Sequence, residues 1–227
     1  MSDIFPSTVW SQIRVGDDAD RRRTAFSELV LRYGDPIRVW IRAAFRVQED
    51  DASDLTQDFL SWVLESEFLT KADPSLGRFR AFLKTALRRY VIDDRRRQRA
   101  AKRGGGAHAV ELADEVAPGE SPEERLDLAW RASLVQRALA QVEEAMRADG
   151  RERAFALFRD YYVEPEEGVD YATLAAKHGI SEVDVSNALA RTKKRYRAEL
   201  KAQVVESVQT AEDLEVELRW LFGKDGA

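Results

Sequence analysis

The chain has 227 residues, 44% of them hydrophobic and 34% charged, with a formal net charge of −5. That balance describes a globular protein of one large or two small domains, and no run approaches the roughly 20 apolar residues that a membrane span needs. With no cysteine, and with His108 and His178 far apart and without ligand spacing, disulfides, thiolate metal sites and a bound metal or cofactor are not expected.

The N-terminal MSDIFPSTVW has neither a basic start nor a long apolar middle, so no secretory signal is expected and the expected location is the cytoplasm. Trp10 and Ile13 suggest a short helix before the polar GDDADRRR turn. Phe26, Leu29, Val30 and Tyr33 then recur at helical spacing. Gly34-Asp35-Pro36 punctuates, with Asp35 as N-cap and Pro36 at the first position of a further helix, on which Trp40, Ile41 and Phe45 resume the stripe. No period-two run of β-branched residues occurs anywhere, so the expected fold class is all-α.

From Asp50 to Glu65, Leu55, Phe59, Trp62 and Val63 predict a buried helical face, which leaves Asp54, Asp58, Ser61 and Glu65 on a flank with Gln57 beside them. Like charges four residues apart repel by a few tenths of a kcal/mol, so the helix gains nothing from that row by itself. A basic partner surface would use it; an ordinary solvated face is the plainer alternative. Phe68 to Arg78 contains Asp73-Pro74 and Gly77 and reads as a loop. Its Lys71, Ser75 and Arg78, with Phe79 at the junction, combine cations, a small hydroxyl and an aromatic ring, a set that could hold an unstacked base or simply make a turn.

The stretch Phe79 to Arg103 places Phe79, Phe82, Leu83, Ala86 and Tyr90 on one helical face and Lys84, Arg88, Arg95, Arg99 and Lys102 on the other. After Asp94 the apolar positions stop and basic residues surround the axis. Such a concentration inside an acidic chain faces a polyanion, or else is a solvated helix end favoured by the helix dipole. Residues 104–120 then bring three consecutive glycines, small residues and acids, the composition of a flexible linker.

Ser121-Pro122-Glu123-Glu124 is a capping box with proline at the first helical position. Leu128, Val135, Leu139 and Val142 share a face that starts a new core, with Leu126, Trp130 and Leu134 in a second line, and Phe155, Phe158 and Tyr162 continue it. A short helix with Tyr171, Leu174 and Ala175, then Gly179 and a capping box from Ser181 to Asp184, describe a helix-turn-helix. On its second helix Val185, Leu189 and Thr192 should pack inward, leaving Asp184, Ser186, Asn187, Ala190, Arg191 and Lys194 outward, where amide and hydroxyl groups can meet base edges and the cations phosphates. An αα-hairpin inside a bundle is the plainer alternative. A last amphipathic helix, capped by Thr210, should bury Leu214, Leu218, Leu221 and Phe222, docked to the second domain or awaiting a partner.

These pieces in this order resemble the extracytoplasmic-function (ECF) sigma factors of bacterial RNA polymerase, over about residues 20 to 200. DASDLTQDFL is similar to the family's DAEDLTQEVF stretch, GRFRAFLKTALRRYVIDDRRR to its promoter-melting helix, and YATLAAKHGISEVDVSNALARTKKR to its helix-turn-helix. The resemblance implies a sigma region-two domain at 1–103, a linker at 104–121, a region-four domain at 122–201 and a C-terminal extension at 202–227. It implies a specificity subunit, not an enzyme, whose partners are core RNA polymerase and promoter DNA, with an anti-sigma factor as a further regulatory partner. Asp54, Leu55, Gln57 and Asp58 would dock on the polymerase. Lys71, Ser75, Arg78 and Phe79 would capture a flipped base of the minus-ten element, and Lys84, Arg88, Arg95 and Arg99 would hold the backbone around it. Ser186, Asn187, Arg191 and Lys194 would read the minus-thirty-five element. Ser53 stands where most relatives carry a third acid, so Ser53 and Thr56 are candidate phosphorylation sites at which a Ser/Thr kinase would restore charge. The alternative function is a stand-alone helix-turn-helix regulator, which has no use for the acidic stripe.

Overall fold

The computed structural model describes residues 19–65, 79–103, 121–208 and 210–222, with the side chains of 19–22, 25, 64 and 95–103 excepted. All regular structure among them is helical: α1 (Ala19–Phe45), α2 (Glu49–Glu65), α3 (Phe79–Arg103), α4 (Pro122–Ala148), α5 (Glu152–Phe158) with a π-helical turn (Arg159–Val163), α6 (Tyr171–His178), α7 (Glu182–Val205) and α8 (Ala211–Phe222). The expected short helix at Trp10 and Ile13, the Phe68–Arg78 loop and the 104–120 linker lie outside the described residues.

Two compact units divide the chain: residues 1–133 with 204–227, and residues 134–203. The division falls inside α4, so the first turns of α4 and the whole of α8 belong with the first unit. The reason is chemical: α8 supplies the carboxylate of Glu217 and the ring of Trp220 to Arg80 on α3. Of the two expectations for α8, docked to the second domain or awaiting a partner, neither is excluded: α8 meets Trp130 and Arg131 of α4 as well as Arg80 of α3.

In the first unit α1 runs unbroken through Pro36, where the sequence suggested two helices. Proline removes one backbone donor and crowds the preceding turn, a cost of about 3 kcal/mol. Tyr33, Ile37, Trp40, Ile41 and Phe45 are nevertheless all buried on both sides of it, and burying a large apolar side chain contributes about 1.5–3 kcal/mol. Asp35 does not cap a new helix but pairs with Arg38 one turn on, at 3.0 Å. On α2 the buried seam is Ala52, Thr56, Phe59, Leu60 and Val63, while Leu55 and Trp62 are half-buried, a small rotation from the expected face. Aromatic contacts tie α3 to both helices: Tyr33 meets Phe79 at 4.9 Å between centroids, and Phe59 meets Tyr90 edge-on at 5.4 Å.

In α4 the buried residues are Leu126, Trp130, Leu134, Ala138, Val142 and Met146, one every fourth position, and Leu128 of the other line is exposed. The second unit closes around Val142, Met146, Phe155, Leu157, Phe158, Leu174, Ala175, Val185 and Leu189. Tyr162, expected in this core, is largely exposed, and Tyr161 packs there instead. The π turn, closed by Glu164 N–H donating to the Arg159 carbonyl at 2.8 Å, inserts an extra residue and rotates Tyr162 outward.

Candidate functional site

The local sequence signals that build the helix-turn-helix all find their partners. Asp170 caps α6 by accepting from Thr173 N–H at 2.7 Å, and these bonds, first from the Thr173 hydroxyl and then from the backbone, hold its carboxyl below the usual range. Gly179 ends α6 with φ +60°, in the left-handed region that favours glycine, while Ile180 N–H donates to the Ala175 carbonyl at 3.0 Å. The Ser181 hydroxyl donates to Asp184 Oδ2 at 2.6 Å and accepts from Asp184 N–H at 3.1 Å. Hydrogen bonds from that hydroxyl and from Ser181 N–H lower the Asp184 carboxyl, so this acid on a basic helix is explained by capping.

Behind the turn, Asp160 accepts from Lys177 at 3.1 Å and lies 3.4 Å from His178 Nε2. Burial alone would raise the Asp160 carboxyl, but its bonds to Lys177 and His178 outweigh that and lower it. The α6 end is thereby tied to the π turn.

On α7, Val185, Leu189 and Thr192 are buried as expected, while Ser186, Asn187, Ala190, Arg191, Lys193, Lys194 and Arg197 are exposed. Ser186, Asn187, Arg191 and Lys194 therefore share one open polar and basic face. Val183 in the first turn is 68% exposed, an apolar residue on the same helix that periodicity alone did not single out.

On α2, Asp54, Gln57 and Asp58 are exposed and Leu55 is half-exposed beside them. Among the described residues neither Asp54 nor Asp58 forms an ion pair. Ser53, half-buried, donates its hydroxyl to the Glu49 carbonyl at 3.0 Å. Thr56 is buried, its hydroxyl donating to the Ala52 carbonyl at 2.7 Å, so in this conformation a kinase reaches Ser53 far more readily.

On α3 the outcome is mixed. Lys71, Ser75 and Arg78 lie outside the described residues, as do the side chains of Arg95 and Arg99. Phe79 is 0% exposed, packed against Tyr33 and Phe82, so it is a core residue and offers no ring to a base in this conformation. The sequence reading put it at the edge of the loop because only its apolar neighbours on its own helix were visible.

Lys84 and Arg88 are not bare cations. Lys84 Nζ lies 2.6 Å from Asp127, and Arg88 Nε lies 2.8 Å from Glu123. Burial would raise the Glu123 carboxyl, but the Arg88 hydrogen bond, helped by the Arg88 and Lys84 charges, holds it below the usual carboxylate range. Arg80, which the sequence reading passed over, is buried one turn before Lys84. Its guanidinium lies 4.2 Å from the Trp130 ring centre and 4.9 Å from that of Trp220, and pairs with Asp127 at 2.8 Å and Glu217 at 3.0 Å.

Among the described residues no group of acids and histidines could hold a metal ion, and no helix is long and apolar enough to cross a membrane. Neither a search of curated proteins nor one of solved structures found a match. The family model for ECF sigma factors, in contrast, matches residues 7–202. That span takes in the acidic helix, the basic helix and the helix-turn-helix, and the chain accordingly belongs to the ECF sigma factors, non-enzymatic factors that act with RNA polymerase in promoter-specific transcription initiation.

Proposed function

We propose that the first unit docks on core RNA polymerase through Asp54, Leu55, Gln57 and Asp58, and that α3 engages and helps to open the minus-ten region while α7 reads the minus-thirty-five element. The observation that carries this reading is the pairing of an exposed acidic stripe without internal partners on α2 with an exposed amide, hydroxyl and cation face on α7. A stand-alone regulator would need the second but not the first.

On α7, Ser186 and Asn187 suit base edges, Arg191 and Lys194 suit phosphates, and the exposed Val183 suits a thymine methyl. On α3, Lys84, Arg88, Arg95 and Arg99 remain the backbone contacts, and Lys71, Ser75 and Arg78 the base-capturing residues; Phe79 is packed in the core. The acidity of the whole chain suits a subunit whose affinity for DNA comes mainly from the assembled polymerase. Such a protein works in the cytoplasm, and Ser53 is the hydroxyl best placed to add charge to the stripe when phosphorylated.

Run-off transcription with purified core polymerase and a pool of genomic promoter fragments tests the reading. Discrete transcripts that depend on the chain are expected. Failure of the chain to associate with core polymerase at physiological salt, with and without prior phosphorylation, would end it. Full transcription by a Ser53→Ala, Thr56→Ala variant would remove the phosphorylation element alone.

A further inference from the structure

Arg80, Lys84 and Arg88 recur every fourth residue along α3, and each meets the start of α4 in a matching antiparallel register. Arg88 faces Glu123, Lys84 faces Asp127, and Arg80 faces Trp130. Every step of four back along α3 is a step of about four forward along α4, so the row of cations meets a row of carboxylates until the partner becomes an aromatic ring.

The three contacts differ in kind. Arg80 is a fixed pin: buried, in contact with the rings of both Trp130 and Trp220, and paired with Asp127 and with Glu217, which is 2% exposed. Removing one partner of such a pair leaves a buried charge uncompensated. A second bond locks α8 in place, Arg131 donating to the Leu221 carbonyl at 2.8 Å. Arg88, by contrast, has a side chain 64% exposed, and Lys84 is part-exposed. A solvated pair such as Arg88–Glu123 contributes only about 0.2–1 kcal/mol and is readily exchanged for another anion. Lys84 shares Asp127 with Arg80, so its pair exchanges less readily.

We infer that the first turns of α4 act as an internal stand-in for the DNA backbone on α3. Glu123 and Asp127 occupy the phosphate-binding positions of Arg88 and Lys84, and α8, which lies beyond the family match, holds that mask down through Trp220 and Glu217 on Arg80. The occupant that competes with the mask is a nucleic-acid phosphate backbone, since each cation presents its donors to a single carboxylate and a phosphate oxygen satisfies the same donors. The inference rests on the reading that the α3 row contacts promoter DNA. Its consequence is a free chain in which Lys84 and Arg88 of the α3 row are covered, and an exchange of carboxylate for phosphate when promoter DNA arrives.

The test is the affinity of the full chain for a mixed-sequence DNA duplex at low salt, where phosphate contacts dominate. Glu123→Gln removes one carboxylate of the mask, and Trp220→Ala loosens the pin without changing any charge. Each is expected to tighten binding about two- to fivefold, the range that loss of one exposed pair allows. The Glu123→Gln gain must vanish when Arg88→Gln is added, and the Trp220→Ala gain when Lys84→Gln and Arg88→Gln are added together, because a general rise in electrostatic attraction would survive those changes. Arg88→Gln alone is expected to weaken binding. If it weakens binding while neither Glu123→Gln nor Trp220→Ala tightens it, or the gains persist without the cations they release, the mask is overturned and the α3 reading stands. If Arg88→Gln leaves binding unchanged, both fall. Glu123 lies on the surface, so its variant decides the matter even where Trp220→Ala does not fold.

Discussion

The acidic stripe of α2 and the cationic row of α3 belong to one compact unit, yet their charges are in opposite states. Asp54 and Asp58 are exposed and form no ion pair among the described residues, whereas Lys84 and Arg88 are each tied to a carboxylate of α4. Asp54 and Asp58 repel one another along their helix, whereas Lys84 and Arg88 are already neutralised. Charge density alone does not separate a surface awaiting a partner from one that has found an internal substitute. What separates them is the second helix: Asp54 and Asp58 of α2 lie open, and Lys84 and Arg88 of α3 are covered by α4.

The largest effect should come from breaking the closed side at its pin. Arg80→Ala breaks the buried pair with Glu217 and the contacts with Asp127, Trp130 and Trp220, and should destabilise the first unit by about 3–5 kcal/mol. Urea unfolding followed by tryptophan fluorescence measures this directly, because all five tryptophans lie in the first unit and none in residues 134–203. Replacing both partners, Arg80→Met with Glu217→Leu, should restore much of the loss, since the buried carboxylate is removed together with its cation. The open side should behave differently. Asp54→Ala with Asp58→Ala should leave the urea midpoint nearly unchanged while core polymerase binding falls at least about tenfold, or about 1.4 kcal/mol, in a co-purification or anisotropy titration. A variant pair in which both surfaces changed stability alike would erase the distinction.

Local chemistry was legible in the sequence, and distant chemistry was not. The capping boxes at Ser121 and Ser181, the Asp170 cap and the Gly179 turn each involve groups within a few residues, and all form as their spacing requires. The inward trio Val185, Leu189 and Thr192 followed from periodicity for the same reason. Continuity of α1 through Pro36 was hidden because propensity is local while the burial that overrides it is tertiary. Arg80 was hidden more deeply. In the sequence it is one more basic residue, and its burial depends on Trp130, Trp220 and a carboxylate 137 residues away. Reading the acidic stripe as an interface needed only its own helix, whereas the closure of α3 needed two others.

The second unit sharpens the comparison from the side of DNA. Asn187→Ala should relax discrimination at one base pair of the minus-thirty-five element by about 1–3 kcal/mol, leaving other positions alone. Arg191→Ala should weaken binding across all sequences instead, because a phosphate contact carries no base identity. Holoenzyme binding to a library randomised over that element distinguishes the two patterns.

The smallest expected effect isolates the exchangeable pair itself. The Glu123 carboxyl is held below its ordinary value of 4.5, so its folded state binds the proton less readily than its unfolded state. Its stabilisation is therefore complete above about pH 4.5 and is lost as the pH falls through the lower folded value. With Arg88 mostly in solvent, that contribution is at most about 1 kcal/mol. Asp149, Asp160, Asp170 and Asp184 are also lowered, but all four lie in the second unit, which holds no tryptophan. Glu124, lowered by its Ser121 cap, is the confounding group in the first unit, and it is unchanged in Glu123→Gln. The tryptophan-detected urea midpoint should thus fall more steeply below pH 4.5 in the wild type than in Glu123→Gln. Parallel curves would mean that the pair adds nothing to the closed surface, and that α4 is held on α3 by the Arg80 pin and the Lys84–Asp127 pair.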